Sequence, residues 1–526
     1  RRSVVGCVAA DGGWDVLDTR PHTHDATDPQ ETTVVLRAII PDEGGSVPGI
    51  TGHLLISAVL VAAVSLGVPA APAAATDPPT RSGPAASPAA LPSVRLPLPG
   101  ATEPPWPAAV LPNLSMSAPI PTAAGLGARL APLLDRPALG RSVRAEVVDV
   151  ATGTALYRRN ADLAAAPAST AKVLTAVAAL TALGPDTTLP TRVVQGLRPG
   201  EVVLVGGGDV LLAPGPGDPD AVQGHAGLAD LADTTAASLR AAGTTSVGVR
   251  LDDSLFAGPA VNPAWSAGDV VGGFVAPVMA IEVTVGVRKP GVPPRPGLPA
   301  PRLADPAMSA ARQFATLLRA RGIGVTGPVV RSSVPTQAAV LAEVRSASIA
   351  DIVELDLTDS DNTTAEALAR LVARAGGRRA TFADGGLAVL EQVTRLGVPT
   401  PGATLSGGSG LGRGNLLPAS TVARTLALAG SFERPQLRAV LSGLPVAGAS
   451  GTLAERFTGS RTVGGLGVVR AKTGTLTGVS SLAGTVVDVD GRLLAFAVMA
   501  DAVPATTPGR AALDAVATAV AGCGCR

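Results

Sequence analysis

A chain of 526 residues with 46% apolar content can bury two or three cores, and with only 2% aromatic residues those cores must be built from Ala, Val and Leu. A net charge of +1, without a basic run or an aromatic-interleaved basic patch, gives nothing that recommends a nucleic-acid surface. The four histidines, His22, His24, His53 and His225, stand beside no Cys, Asp or Glu cluster of ligand spacing, so no metal site, Ser-His-Asp triad or organic cofactor is expected.

Residues 1–50 are polar and irregular, an N-terminal extension of uncertain status. Leu54 to Val68 then runs uncharged and apolar, too short to span a membrane comfortably and suited to the apolar region of a signal peptide. Ala73-Ala74-Ala75 offers a small-residue cleavage site before Thr76. Residues 51–75 are therefore expected to act as a signal peptide, or as a membrane anchor if uncleaved, placing the rest of the chain outside the cytoplasm. Fifteen prolines between Pro69 and Pro121 make 76–122 an extended linker. Cys7, Cys523 and Cys525 give no disulfide framework for a domain of this size. In an oxidising compartment Cys523 and Cys525, at a frayed C-terminus, can oxidise without a structural disulfide being required.

Folded sequence begins near Ala123. "RAEVVDVATGTALYRRN" holds two β-rich runs about Thr152-Gly153, a hairpin signal repeated about Asp490-Gly491 in "VSSLAGTVVDVDGRLLAFAVMAD". "GRAALDAVATAVAG" is an amphipathic closing helix. Strands at both ends with helices between predict an α/β (α+β) fold, an antiparallel sheet completed by the two ends and flanked by helices.

Only three residues are lysines, Lys172, Lys289 and Lys472, in a chain that otherwise uses arginine. Pro167 is placed to start a helix, which puts Ser169 in its first turn and Lys172 one turn on, both on one face. An unprotonated lysine there can take the serine's proton. Burial and a second cation nearby both lower its pKa, whereas an arginine stays protonated at every accessible pH. Lys472 opens "KTGTLTG" at a sheet edge; it would supply that cation and charge for a substrate carboxylate, while Thr473 supplies a hydroxyl and small residues let a substrate backbone lie along the strand. "TDSDNTTAEALAR" adds Ser360 and Asn362, in a loop before a helix. Singly, these motifs read as a capped helix start, a strand end with a solvated lysine and a turn. S-x-x-K, S-x-N and K-T-G each occur once, and it is their joint appearance in this order that points to nucleophilic acyl transfer.

The three motifs, with "VVDVATGTALYRRNADLAAAPASTAKVLTAVAAL", "LDDSLFAGPAVNPAW", "GGSGLGRGN" and "RAKTGTLTGVSSLAGTV", resemble the serine D-alanyl-D-alanine carboxypeptidase/endopeptidases, the class C low-molecular-mass penicillin-binding proteins. The resemblance covers roughly residues 123–522. It implies a β-lactamase/transpeptidase-like catalytic domain from 123–184 and 347–522, with a β-rich insertion of one or two small domains at 185–346. It implies Ser169 as acylated nucleophile, Lys172 as base, Ser360 and Asn362 as the second motif, and Lys472, Thr473, Gly474 and Thr475 along the substrate strand. Backbone N–H groups of Ser169 and Thr475 would form the oxyanion hole, and Arg413 would meet the side-chain carboxylate of a diaminopimelate stem peptide. The family usually has Asp-Gly-Ser-Gly-Leu-Ser where this chain has Gly407 to Gly412, so an acid and a hydroxyl are missing there. The implied partners are the D-Ala-D-Ala end of peptidoglycan stem peptides and β-lactams as covalent inhibitors. Two other readings remain open at this level. A serine β-lactamase needs a Glu in an E-x-x-L-N setting, absent between Asn362 and Lys472, with Glu366 better suited to a structural role. An inactive peptidoglycan-binding or penicillin-sensing module would keep the cleft without turnover.

Overall fold

The computed structural model describes residues 6–10, 13–17 and 114–526 apart from 116, 290, 335 and 336. The expected leader at 51–75, and the linker as far as residue 113, lie outside the described residues. Within the extension expected to be irregular, Gly6–Ala10 pairs antiparallel with Gly13–Leu17. The sequence between them is Asp11-Gly12, a dipeptide favoured in two-residue turns. Among the described residues no helix is long and apolar enough to cross a membrane.

The Thr122 side chain accepts from Gly125 N and so starts α1 (Ala123–Leu134). After it come β1 (Ser142–Asp149), β2 (Ala155–Arg159) and α2 (Lys172–Leu183). Next follow β3 (Thr188–Gln195), β4 (Glu201–Val205), β5 (Asp209–Leu212), α3 (Leu228–Ala241), β6 (Ser246–Asp252), α4 (Pro306–Ala320) and β7 (Val340–Ser348). The chain then runs through α5 (Ile349–Asp359), α6 (Asn362–Ala375), α7 (Phe382–Arg395) and α8 (Ala419–Gly430). It closes with β8 (Arg470–Leu476), β9 (Val479–Val487), β10 (Leu493–Asp501) and α9 (Thr506–Ala521).

One five-stranded sheet has the order β8-β9-β10-β1-β2, every neighbour antiparallel, so the two ends of the folded region complete it as their hairpin patterns predict. Alternation along β10 assigns its two faces. Ala495, Ala497 and Met499 join the core that contains α2 and α8, while Leu494, Phe496, Val498 and Ala500 join the core that contains α1 and α9. With Ala483 of β9, the first face is lined mainly by alanine, which lets helices approach closely. Every residue of α2 from Lys172 to Leu180 is buried, the mark of a central helix, and each enclosed leucine such as Leu174 contributes about 2 kcal/mol.

A second, six-stranded sheet is built from β7, β3, β4 and β6 with two short strands beyond, and it mixes antiparallel and parallel pairs. Helices α3 and α4 pack on it around Phe314, Leu231 and Val249. The region expected to be β-rich therefore also carries helices of 14 and 15 residues; the first, α3, supplies the crossover that the parallel β4-β6 pair needs.

Candidate active site

Ala168–Ala171 forms a 3-10 turn and α2 begins only at Lys172. The α-helical first turn expected for Ser169 is thus tighter than predicted, with Ala168 at φ +47° leading into it. A 3-10 turn eclipses positions i and i+3, which aligns Ser169 with Lys172. Lys172 Nζ lies 3.1 Å from Ser169 Oγ, 2.6 Å from Asn362 Oδ1 and 3.2 Å from the Ser409 carbonyl oxygen. Asn362 and Ser409 present acceptors for two of its protons, so in the neutral amine the lone pair is left for the Ser169 hydroxyl.

Burial pushes Lys172 below the ordinary lysine range, while the charges of Asp356, Asp361 and Glu366 pull it back up. Of the two causes expected to lower it, burial and the charge of Lys472, burial is the one that leads at Lys172. Lys472 is itself fully buried and pushed well down, by burial first and by the charge of Lys172 next. Desolvation is the leading cause at both amines.

Ser360 and Asn362 occupy a junction between two helices. Ser360 closes α5 in the left-handed region, at φ +61°, and the side chain of Asp361 accepts from Thr364 N to start α6. Asn362 is therefore the first residue of α6 rather than a loop residue, since the Asp361 cap begins the helix one position earlier than the pattern suggests. A left-handed non-glycine residue costs about 1–3 kcal/mol and is held here by the helices on both sides. Asn362 Nδ2 donates to Phe274 O at 2.9 Å, Ala276 N donates to Thr363 Oγ1 at 3.1 Å, and Arg302 pairs with Asp361 at 3.3 Å. The segment between β6 and α4 thus holds the junction in place.

Strand β8, at the edge of the five-stranded sheet, brings the third motif in. Lys472 Nζ donates to Ser360 Oγ at 2.7 Å and to Thr473 O at 3.2 Å, and Thr473 Oγ1 donates to Thr452 Oγ1 at 2.8 Å. Only glycine fits at 474. A Cβ there would collide with Ser481 Oγ and stand 2.8 Å from Pro167 O, so the missing side chain is what lets β8 lie against the turn carrying Ser169. Ser481 Oγ in turn donates to Pro167 O at 2.7 Å.

Ser169, Ser360, Asn362, Thr473, Thr475 and Arg413 all line one cleft of about 1070 Å³. Arg413 is exposed in it and, among the described residues, makes no ion pair. The Gly407 departure has a steric counterpart. Glu366, buried on α6, accepts from Gly408 N at 2.9 Å and Ser409 N at 3.0 Å, and its carboxylate fills the space that a side chain at 407 would need. Glu366 thereby fixes the loop whose Ser409 carbonyl faces Lys172.

Sequence reasoning missed several contributors. Asp269 and Phe274 line the cleft from the segment before α4, Arg510 lines it from α9, and Thr452 holds Thr473. Asp356, one helical turn before Ser360, is buried with both carboxylate oxygens unpartnered, and its pKa is pushed up to about 7 by burial. Its i−4 spacing from Ser360 was the available signal; the others come from segments with no motif of their own.

At the C-terminus Cys523 and Cys525 are joined in a disulfide, and the end is tied down rather than frayed. Cys523 is buried, and Thr122 N donates to Cys525 O at 2.8 Å, because the start of α1 packs against the end of α9.

Known proteins of similar sequence and fold place the chain in a family. The chain is 37% identical over 415 residues to carboxypeptidase DacB of Mycolicibacterium smegmatis, covering 78% of this chain and 87% of that protein. It is 38% identical over 436 residues to carboxypeptidase Rv3627c of Mycobacterium tuberculosis, covering 82% and 91%. In fold it is similar to penicillin binding protein 4 (dacB) from Haemophilus influenzae, with a TM-score of 0.60, 23% identity, and coverage of 76% of this chain and 98% of that one. With residues 126–301 and 298–520 matching its model, the chain belongs to the D-Ala-D-Ala carboxypeptidase 3 (S13) family.

Proposed function

We propose that this chain hydrolyses the D-alanyl-D-alanine end of peptidoglycan stem peptides through an acyl-enzyme on Ser169. The observation that carries the reading is the approach of Lys172 Nζ to Ser169 Oγ at 3.1 Å, with acceptors for two of its protons already supplied. The neutral amine takes the hydroxyl proton as Oγ attacks the penultimate D-alanine carbonyl. N–H groups of Ser169 and Thr475 stabilise the oxyanion. The C–N bond breaks, the terminal D-alanine leaves with the proton passed from Lys172 by way of the Ser360 hydroxyl, to which Lys472 donates, and water then hydrolyses the ester. Cleavage of cross-links uses the same machinery as endopeptidase action. Arg413 meets the side-chain carboxylate of a diaminopimelate residue.

Residues 123–184 and 347–522 are assigned as the catalytic domain and 185–346 as its insertion. With 51–75 as leader or anchor and 76–122 as spacer, the enzyme works outside the cytoplasm, in the cell envelope. A strained β-lactam amide enters as the peptide does, and a penicillin binding protein 4 of similar fold has been solved in complex with a β-lactam. Intact mass after incubation with benzylpenicillin tests the assignment. Wild type gains one penicilloyl adduct and Ser169→Ala gains none; a wild type without adduct refutes the reading.

A further inference from the structure

We propose that Arg510 is the counter-ion for the free carboxylate of the residue that leaves, acting beside the Thr475 hydroxyl. The proposal rests on the acyl-transfer reading above and assigns a residue to a task that sequence reasoning placed on Lys472.

The structure takes that task away from Lys472. Its side chain is fully buried, and its nitrogen is held by Ser360 Oγ and Thr473 O, so it presents no ammonium to an anion in the cleft. Arg510 has the opposite setting. It is exposed, it lines the same cleft as Ser169 and Thr475, and its Nη2 donates to Thr475 Oγ1 at 3.2 Å. A hydroxyl that accepts from a guanidinium keeps its own proton to donate. Thr475 with Arg510 thus offers a neutral and a charged donor side by side, at the strand position whose N–H is assigned to the oxyanion hole. The α-carboxylate of the leaving residue lies one residue beyond the scissile carbonyl.

The charge on Arg510 is also uncommitted. Asp514, one turn further along α9, is taken by Arg456 at 2.5 Å, and Arg456 donates to the Arg510 carbonyl at 3.2 Å. Among the described residues Arg510 forms no ion pair, since the nearby carboxylate of Asp514 is bound by Arg456. A planar guanidinium can grip a carboxylate through two parallel N–H donors, which an ammonium cannot do.

The test compares acylation of the full chain by benzylpenicillin, which carries a free carboxylate, and by its methyl ester, which does not. Wild type is expected to react with the acid at least about tenfold faster than with the ester. In Arg510→Gln that acid-to-ester ratio should fall by at least about tenfold, with part of it restored in Arg510→Lys. Because the readout is a ratio, a general loss of activity leaves it unmoved, and continued reaction with the ester reports an intact fold. A smaller fall in the ratio overturns the proposal. So do equal acid and ester rates in wild type, a result that needs no variant to fold. Failure of wild type to react with either compound refutes the acyl-transfer reading itself, and this assignment with it.

Discussion

Lys172 Nζ lies closer to Asn362 Oδ1, at 2.6 Å, than to Ser169 Oγ, at 3.1 Å, so the amine that faces the nucleophile is aimed by a residue 190 positions away. Asn362 is itself held through Phe274 O. Asn362→Ala is expected to slow benzylpenicillin acylation by about 10²- to 10³-fold, since both the aim of the amine and the link to residue 274 are lost. Acylation kinetics with a matched thermal melt check this. A rate within a few-fold of wild type would remove Asn362 from the machinery.

Lys172→Arg should reduce acylation by at least about 10²-fold at every pH, because a guanidinium does not become a base. In wild type the rate should climb as pH rises through the ionisation of Lys172, whose pKa burial has lowered. A pH-rate profile of acylation reads the position of that limb. A flat profile would mean that no amine is being deprotonated.

Asp356 gives a stability prediction with a definite sign. Its unfolded value is near 3.8 and its folded value is pushed up to about 7 by burial, with Lys172, Lys472, Asp359 and Asp361 as the charged neighbours. Between those values the folded chain keeps a proton that the unfolded chain has released. The contribution is therefore fully present below the unfolded value and is lost as pH rises through the folded one. Asp356→Asn removes the cost of charging this buried group. Its melting temperature should exceed that of wild type by more at about pH 8.5 than at about pH 5. Equal differences at both pH values would contradict the assignment.

Gly474→Ala should destabilise the protein by about 1–3 kcal/mol and cripple acylation together. The added methyl meets Ser481 Oγ and Pro167 O, and strand β8 must then draw back from the turn that carries Ser169. Denaturant unfolding and penicillin labelling measure the two effects. Retention of both would show that β8 approaches less closely than the structure has it.

Glu366 separates a peptidase from a β-lactamase. As the acceptor for Gly408 and Ser409, its conversion to Ala leaves buried donors unpaired and should cost on the order of 3–5 kcal/mol. Deacylation of the penicilloyl-enzyme should be unaffected in Glu366→Gln. A marked slowing of deacylation would instead make Glu366 the base for a hydrolytic water.

Local patterns proved readable where neighbours in the chain decide the outcome. The hairpins at Thr152-Gly153 and Asp490-Gly491 and the closing helix form as their periodicities predict. Element starts were less legible. The Asp361 cap draws Asn362 into α6, and Ala168 at φ +47° sets a 3-10 turn where an α-helix was expected, because both depend on what packs against them. Thr452, Phe274 and Arg510 carried no signal, since each owes its place in the cleft to a segment folded elsewhere.

What the sequence determined by itself was the chemical inventory: a hydroxyl nucleophile, an amine where arginine is otherwise preferred, and a glycine where a strand must come close. Tertiary structure decided the rest. It joined Lys472 to Ser360 across 112 positions and Lys172 to Asn362 across 190, and it buried both amines. It also left Arg510, rather than Lys472, facing the cleft. The physical reason is that residue type sets which proton a group can carry, whereas the cost of charging it depends on how much water and which charges the folded chain leaves around it.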